Sequence, residues 1–398
     1  MAKMKYLAAW PGRLEVRQID IPEPKEGQIR VKIEYGGICG TDIHVLEEGF
    51  GPHRVSGAAT YPLVLGHEYS AVIDKKGPKA DEKMFYHTEK IPEEGDRVYY
   101  GVDYYNYMSP FSIRGAGQWG GQWFYGFCPI EMGVRGAWGQ YVILEPYSHI
   151  WNMSEFGVSA EATTFAEINT VGLRQVNRAL TLASVSSFTR EFELGDAVVL
   201  IYGAGPIGNA VLLNVKRHLP LSTVIQVDLN DHRLAVAKKN GADYTINAKK
   251  TTFEERENMI KDIASKKPRP DLGSAWGVDI VFDCTGRNAN DVIPEGIKMC
   301  RPGAVFIETG AYVFKTTGTF TIDPHEFCTR EVIINSGWAY PFSTIDLSLR
   351  MLTKDKDLQQ KYAAMVTHKH ALEEEMDAIK SAMPPRYEGV KHVFDPWK

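Results

Sequence analysis

The feature that most constrains the fold is the run VVLIYGAGPIGNAVLL at residues 198–213, where an apolar, strand-like stretch passes through three glycines into a helix-like one. Gly203, Gly205 and Gly208 give the spacing G-x-G-x-x-G, with Pro206 and Ile207 between the last two. At a strand-to-helix junction the first glycine allows the tight turn, the second lets the backbone approach a pyrophosphate, and the third lets helix pack closely on strand. The helix N-terminus then offers unpaired N–H groups to the anion. Glycines alone are a weak signal, but the next strand-like run, TVIQVDLN, strengthens it. It places Asp228 where a carboxylate accepts hydrogen bonds from the adenosine ribose hydroxyls. A 2′-phosphate is repelled by such a group, so NAD is expected over NADP. Arg233, five residues further on, is either a further cofactor contact or a solvated helix residue.

The surroundings agree with that junction. From about residue 195 to 338, DAVVLIYG, TVIQVD, YTI, VDIVFDCTG, AVFIETG and VIINSGW alternate with helix-length segments, the pattern of a parallel sheet flanked by helices. Residues 1 to about 100 read differently. Short β-branched runs punctuated by Gly and Pro, namely IRVKIEYGG, YPLVLGHEYSAVI and EEGDRVYY, predict a largely β, barrel-like domain. A chain of 398 residues is of the size that divides into two domains. Near its end, an amphipathic helix over HALEEEMDAIKSAM and a strand over KHVFD are expected to return to the first domain.

Composition narrows the function. Hydrophobic residues make up 44% and charged residues 24%, as in ordinary globular proteins. The net charge of −5 includes no long basic stretch, which argues against nucleic acid as a partner and for a small molecule. No stretch approaches the ~20 apolar residues of a membrane span, and the N-terminus lacks a signal-like apolar run, so no membrane partner and a cytoplasmic location are expected. The five cysteines, Cys39, Cys128, Cys284, Cys300 and Cys328, are odd in number and far apart. They read as reduced thiols rather than a disulfide framework, and any function must come from their neighbours.

Cys39 has such neighbours. GGICGTDIHV places Thr41 two residues after it and His44 five residues after it, and GHEYS follows with His67 and Glu68. Thiolate, imidazole and carboxylate together form a plausible set for a catalytic Zn²⁺ that keeps a position open for substrate. Taken singly, each is equally a buried thiol or a hydrogen-bonded core residue.

GICGTDIH, GHE, the later GDRV at Gly95–Val98 and GAGPIG together resemble the zinc-containing medium-chain alcohol and polyol dehydrogenase family, in the family's order and over nearly the whole chain. The resemblance implies an α/β plus β protein. It would have a GroES-like β-barrel catalytic domain at 1–165, a Rossmann doubly wound parallel sheet at 166–338 and a C-terminal return at 339–398. It further implies that Cys39 and His67 bind zinc and that Glu68 binds it in some states. Glu167 falls where the polyol and glucose branches carry a Glu that binds the metal or its water, although Ile168 replaces the usual Pro there. Thr41 matches the hydroxyl that takes the substrate proton, which passes by way of the nicotinamide ribose to His44, the relay nearer solvent.

Many family members carry a second, structural zinc on four closely spaced cysteines after the GDRV strand, where this chain has only Cys128. One cysteine does not make such a site, so one catalytic zinc per subunit and no structural zinc are expected. In its place residues 99–141 are dense in Tyr, Trp, Phe and Gly. These either pack on themselves or at a subunit contact, or stack on a sugar ring. The expected activity is NAD-dependent hydride transfer at a secondary alcohol or ketone of a sugar, polyol or cyclitol, by a homo-oligomer, dimer or tetramer. A simple-alcohol or threonine dehydrogenase and a catalytically silent dinucleotide-binding protein are the alternatives.

Overall fold

The computed structural model describes residues 2–49, 60–105, 109–113, 121–185, 196–267, 276–310, 319–337, 339–383 and 386–398. Residues 106–108 and 114–120 of the aromatic-rich stretch, and Trp338 ending the VIINSGW run, lie outside these. The chain divides into two compact units, Met1–Thr170 with Tyr340–Lys398, and Val171–Ala339. The first division falls inside the Ala166–Ser184 helix, a few residues beyond the 165/166 boundary expected from the sequence.

The first unit is built mainly from β-structure. Lys3–Trp10 lies between Arg13–Asp20 and Leu63–Leu65 in a four-stranded sheet that Phe127–Pro129 completes. A larger sheet is centred on Ile29–Gly37, which pairs antiparallel with Tyr69–Lys76, Tyr141–Leu144 and Lys391–Phe394. Ile29, Val31 and Ile33 are buried while Arg30, Lys32 and Glu34 are half-buried, the period-two alternation of a strand with one face on the core. The strand ends in Gly36 and Gly37 because nothing larger fits. A Cβ on Gly36 would sit 2.2 Å from the Ala137 carbonyl oxygen, and one on Gly37 2.9 Å from both the Glu68 carbonyl oxygen and Lys391 Cε.

The C-terminal segment departs from the expected single helix over HALEEEMDAIKSAM. His370 instead ends the Val366–His370 strand, paired with Phe394. The chain then turns where Glu374 accepts the Ala371 N–H at 2.6 Å, and the α-helix runs only over Glu375–Ala382. Sheet pairing by His370 outweighs its helical periodicity.

In the second unit six strands run parallel in the order Tyr244–Asn247, Thr223–Asp228, Val198–Tyr202, Val278–Asp283, Cys300–Glu308, Ile333–Ser336. This is the Rossmann order 3-2-1-4-5-6. Val198–Tyr202 is buried along its whole length because both sheet faces are covered. Val199 and Ile201 enter one apolar cluster and Val198, Leu200 and Tyr202 the other. Among the described residues, no helix is long and apolar enough to cross a membrane.

One polar pair in the first unit gives a pH prediction. His87 Nε2 and His149 Nδ1 lie 2.6 Å apart, and both rings pack against Trp151 and Phe342. Burial, with a contribution from His87, pushes His149 down to about 3. An unfolded histidine takes its proton near about 6.5, so between these values the unfolded chain binds more protons than the folded one. The stabilisation is therefore complete above about pH 6.5 and lost as pH falls toward 3. His149→Phe should flatten the fall in Tm from about pH 6.5 to about pH 4. Equal slopes for variant and parent in thermal melts would refute this assignment.

Candidate metal centre and dinucleotide cradle

Cys39 caps the N-terminus of the Gly40–Glu48 helix, and its backbone N–H donates to Asp42 Oδ2 at 2.9 Å. The other oxygen of that carboxylate, Oδ1, faces His67 Nδ1 at 3.4 Å. Asp42 is fully buried, and among the described residues neither of these two facing atoms has a hydrogen-bond partner. The carboxylate thereby fixes the start of the helix and sets a negative charge beside the imidazole, as a carboxylate behind a metal-binding histidine does. Asp42 was missed in the sequence. Its signal was a carboxylate three residues after the capping cysteine, the spacing at which a side chain reaches back to the helix start.

Cys39, His67 and Glu68 each offer a ligand atom, and these atoms all lie within 4.8 Å of one another. Among the described residues this is the only group of three or more metal-binding side chains so gathered. Burial, reinforced by the Glu68 charge, raises the Cys39 thiol above its ordinary value. Burial opposes protonation of His67, yet Asp42 and Cys39 together raise it well above the usual imidazole range. A dication reverses both tendencies, since thiolate and neutral imidazole are the forms that ligate. Soft and borderline donors gathered within reach of one ion, with a carboxylate beside the imidazole, fit Zn²⁺.

Glu167 lies in the first turn of the Ala166–Ser184 helix and stands outside the compact trio. Burial raises its carboxyl to about 7, with Glu68 and Asp103 adding to the rise and His67 and Lys391 opposing it. Thr41 and His44 lie three apart on the helix begun by Cys39, the spacing of helical neighbours. Thr41 is half-buried; His44 is buried, with Nδ1 3.4 Å from Glu47 Oε2. Several described aromatics of 99–141 pack together with Tyr69, while Phe111 is exposed. Tyr69 stacks on Tyr99 and Tyr100 at 5.3 and 4.1 Å, and Tyr125 meets Tyr100 and Trp123 edge-on. Cys128 is buried there, its Sγ donating to the Phe124 carbonyl at 3.1 Å.

In the second unit the three glycines occupy distinct environments. Gly203 has φ +92° and donates its N–H to Val227 O at 2.7 Å. A Cβ on Gly208 would lie 1.9 Å from Gly203 O, so helix and turn touch through it. Gly205 caps the Pro206–His218 helix, and the nearest atom to a Cβ there is Arg233 Nη1 at 3.8 Å. The space in front of Gly205 is thus open, with a guanidinium at its edge. Ile207 packs into the apolar cluster behind the turn. Asp228 accepts the N–H groups of Ala204 at 2.6 Å and Asn230 at 2.8 Å. These two bonds leave lone-pair capacity on the carboxylate for ribose hydroxyls.

A half-buried thiol beside a buried imidazole and carboxylate in one unit, and a glycine turn on a parallel sheet in the other, are the parts of a zinc-binding dehydrogenase. Comparison with known proteins agrees. Residues 25–155 match the alcohol dehydrogenase GroES-like domain, and residues 206–354 match the zinc-binding dehydrogenase domain. The chain belongs to the zinc-containing medium-chain alcohol and polyol dehydrogenase family. It is 27% identical to sorbitol dehydrogenase of Rattus norvegicus over 377 residues, 94% of this chain and 90% of the other. With D-arabitol-phosphate dehydrogenase of Enterococcus avium it shares 25% over 380 residues, 94% and 92% of the two chains. The crystal structure of an alcohol dehydrogenase from Thermotoga maritima superposes with a TM-score of 0.79 over 99% of both chains at 20% identity, which establishes the fold.

Proposed function

We propose that this dehydrogenase interconverts a secondary alcohol and a ketone on a sugar, polyol or cyclitol, with NAD and a single catalytic zinc per subunit. The observation that carries the reading is the half-buried Cys39 gathered with the buried His67 and Glu68, with a further buried carboxylate, Glu167, within range of their charges. The relatives named for sorbitol and D-arabitol phosphate support the substrate class.

In this reading Cys39, His67 and Glu68 hold the metal, and Glu167 binds it directly or through water. When bound, zinc polarises the substrate oxygen as a Lewis acid and NAD takes up the hydride. Thr41 accepts the substrate's hydroxyl proton at Oγ1, and His44, one helical turn on, relays it outward beside Glu47. Gly203, Gly205, Pro206, Ile207 and Gly208 cradle the pyrophosphate. Asp228 binds the adenosine ribose and disfavours a 2′-phosphate, with Arg233 flanking the site. The protein acts as a cytoplasmic dimer or tetramer.

Purified zinc-loaded protein should reduce NAD, and NADP much less, with polyols, aldoses or inositols. Threonine and short alcohols should be poor substrates by at least about tenfold in kcat/KM, about 1.4 kcal/mol in transition-state binding. Fast turnover of ethanol with none of polyhydroxy compounds would move the assignment to a simple-alcohol dehydrogenase. A folded, zinc-free protein inactive on the whole panel would identify a silent dinucleotide binder.

A further inference from the structure

Lys391 stands out among the described residues as a fully buried lysine at the metal centre, with 1% of its surface exposed. Its ammonium donates to Glu68 Oε2 and, at 2.9 Å, to the carbonyl of Ile38, the residue before Cys39. Glu68 is itself 2% exposed, so both charges of the pair have left water. The space is provided by Gly37, since a Cβ there would lie 2.9 Å from Lys391 Cε and 3.0 Å from Glu68 Cβ. The strand carrying the lysine is held in place by pairing Val393 with Gly37 and Phe394 with Gly36.

Burying an ammonium costs several kcal/mol unless its partners compensate. Here the carboxylate that compensates it is also one of the three metal ligands. The two cations therefore compete for one group. A carboxylate accepting through Oε2 from an ammonium has one oxygen left for a metal, and that oxygen is less basic because the charge is shared. Resting on the zinc reading above, we propose that Lys391 is a positioning residue that competes with the metal for Glu68. It keeps this carboxylate an exchangeable ligand, so that a coordination position stays open for the substrate oxygen.

The prediction is counterintuitive for a buried ion pair, because removing one partner should tighten zinc binding. Without Lys391 the whole Glu68 charge falls to the metal. Transfer of zinc from the purified holoenzyme to a chromogenic chelator reads this directly, without turnover. Lys391→Met should slow zinc loss about tenfold, equivalent to about 1.4 kcal/mol. In a Glu68→Gln background the same substitution should change the rate by less than about threefold, because the group being contested is gone. Lys391→Arg, which keeps the cation, should release zinc at close to the parent rate.

Unchanged or faster zinc loss from Lys391→Met overturns the proposal, as does a slowing that persists undiminished with Glu68→Gln. If Lys391→Met does not fold, Lys391→Gln, which retains a donor for the Ile38 carbonyl, is read in the same way. Failure of both to fold while Lys391→Arg folds makes the lysine a purely structural counter-ion and also overturns it. A parent protein that carries no zinc after expression with zinc defeats the zinc reading itself, an outcome distinct from a zinc-replete parent whose Lys391→Met variant behaves unchanged.

Discussion

Cys39→Ala is expected to leave a folded protein that binds NADH within about twofold of the parent but holds no zinc and turns over at least about a thousandfold more slowly. A metal acting as a Lewis acid supplies several kcal/mol to the transition state, and about 4 kcal/mol corresponds to three decades of rate. The separation of the two effects follows from where the residues lie. Cys39, His67 and Glu68 belong to the Met1–Thr170 and Tyr340–Lys398 unit, whereas the glycine turn and Asp228 belong to Val171–Ala339. Zinc content by elemental analysis and NADH affinity by fluorescence titration test the two halves independently. Joint loss of both would show that Cys39 is needed for folding rather than for the metal.

The converse experiment uses two glycines that differ in what lies around them. Gly208→Ala brings a methyl to 1.9 Å from the Gly203 carbonyl oxygen, a backbone atom that cannot rotate away. Overpacking of this kind costs about 1–3 kcal/mol or more, and here it also opens the turn that must receive the pyrophosphate. NADH affinity should fall at least about a hundredfold, about 2.7 kcal/mol, with a lowered Tm. Gly205→Ala meets nothing closer than Arg233 Nη1 at 3.8 Å, so its stability should stay near that of the parent while NADH affinity still drops. Zinc content should be unchanged in both variants. Equal Tm losses, or undiminished NADH binding by Gly205→Ala, would rule out the open face of Gly205 as the place where the dinucleotide approaches.

The parts of the molecule that were legible in the sequence are those whose physics is local. Val198–Tyr202 read as a buried parallel strand because an uninterrupted apolar run ran into a glycine turn, and the alternation of such runs with helix-length segments read as a parallel sheet, though not as its strand order. Cys39, His67 and Glu68 were legible as a set because a thiol, an imidazole and a carboxylate in two short motifs precede a dinucleotide turn, in the order of the zinc-containing family. Asp42 was missed because its role appears only when the helix turn brings it opposite an imidazole 25 positions away. Lys391 was missed for a stronger reason. It lies 323 positions from Glu68, and a lysine in a short strand run ordinarily points to solvent. The aromatic-rich stretch left two readings open, and the packing of its members Tyr99, Tyr100 and Tyr125 with one another and with Tyr69 shows that these three are core.

The division of the chain also sets an order of events for a polypeptide emerging from the ribosome. The Rossmann unit is one continuous segment, Val171–Ala339, and can close as soon as it is extruded. The metal-holding unit is interrupted by it and lacks the strand bearing Lys391 until translation has passed residue 394. Although it starts first, it finishes last, through pairings of very long sequence separation that fold slowly. Until then the Gly36–Gly37 strand end has no partner from Lys391–Phe394 and the Glu68 carboxylate no ammonium beside it. A nascent chain arrested with all of Val171–Ala339 extruded and Lys391 still inside the ribosome should therefore present a protease-resistant dinucleotide domain joined to a protease-sensitive, zinc-accessible N-terminal half.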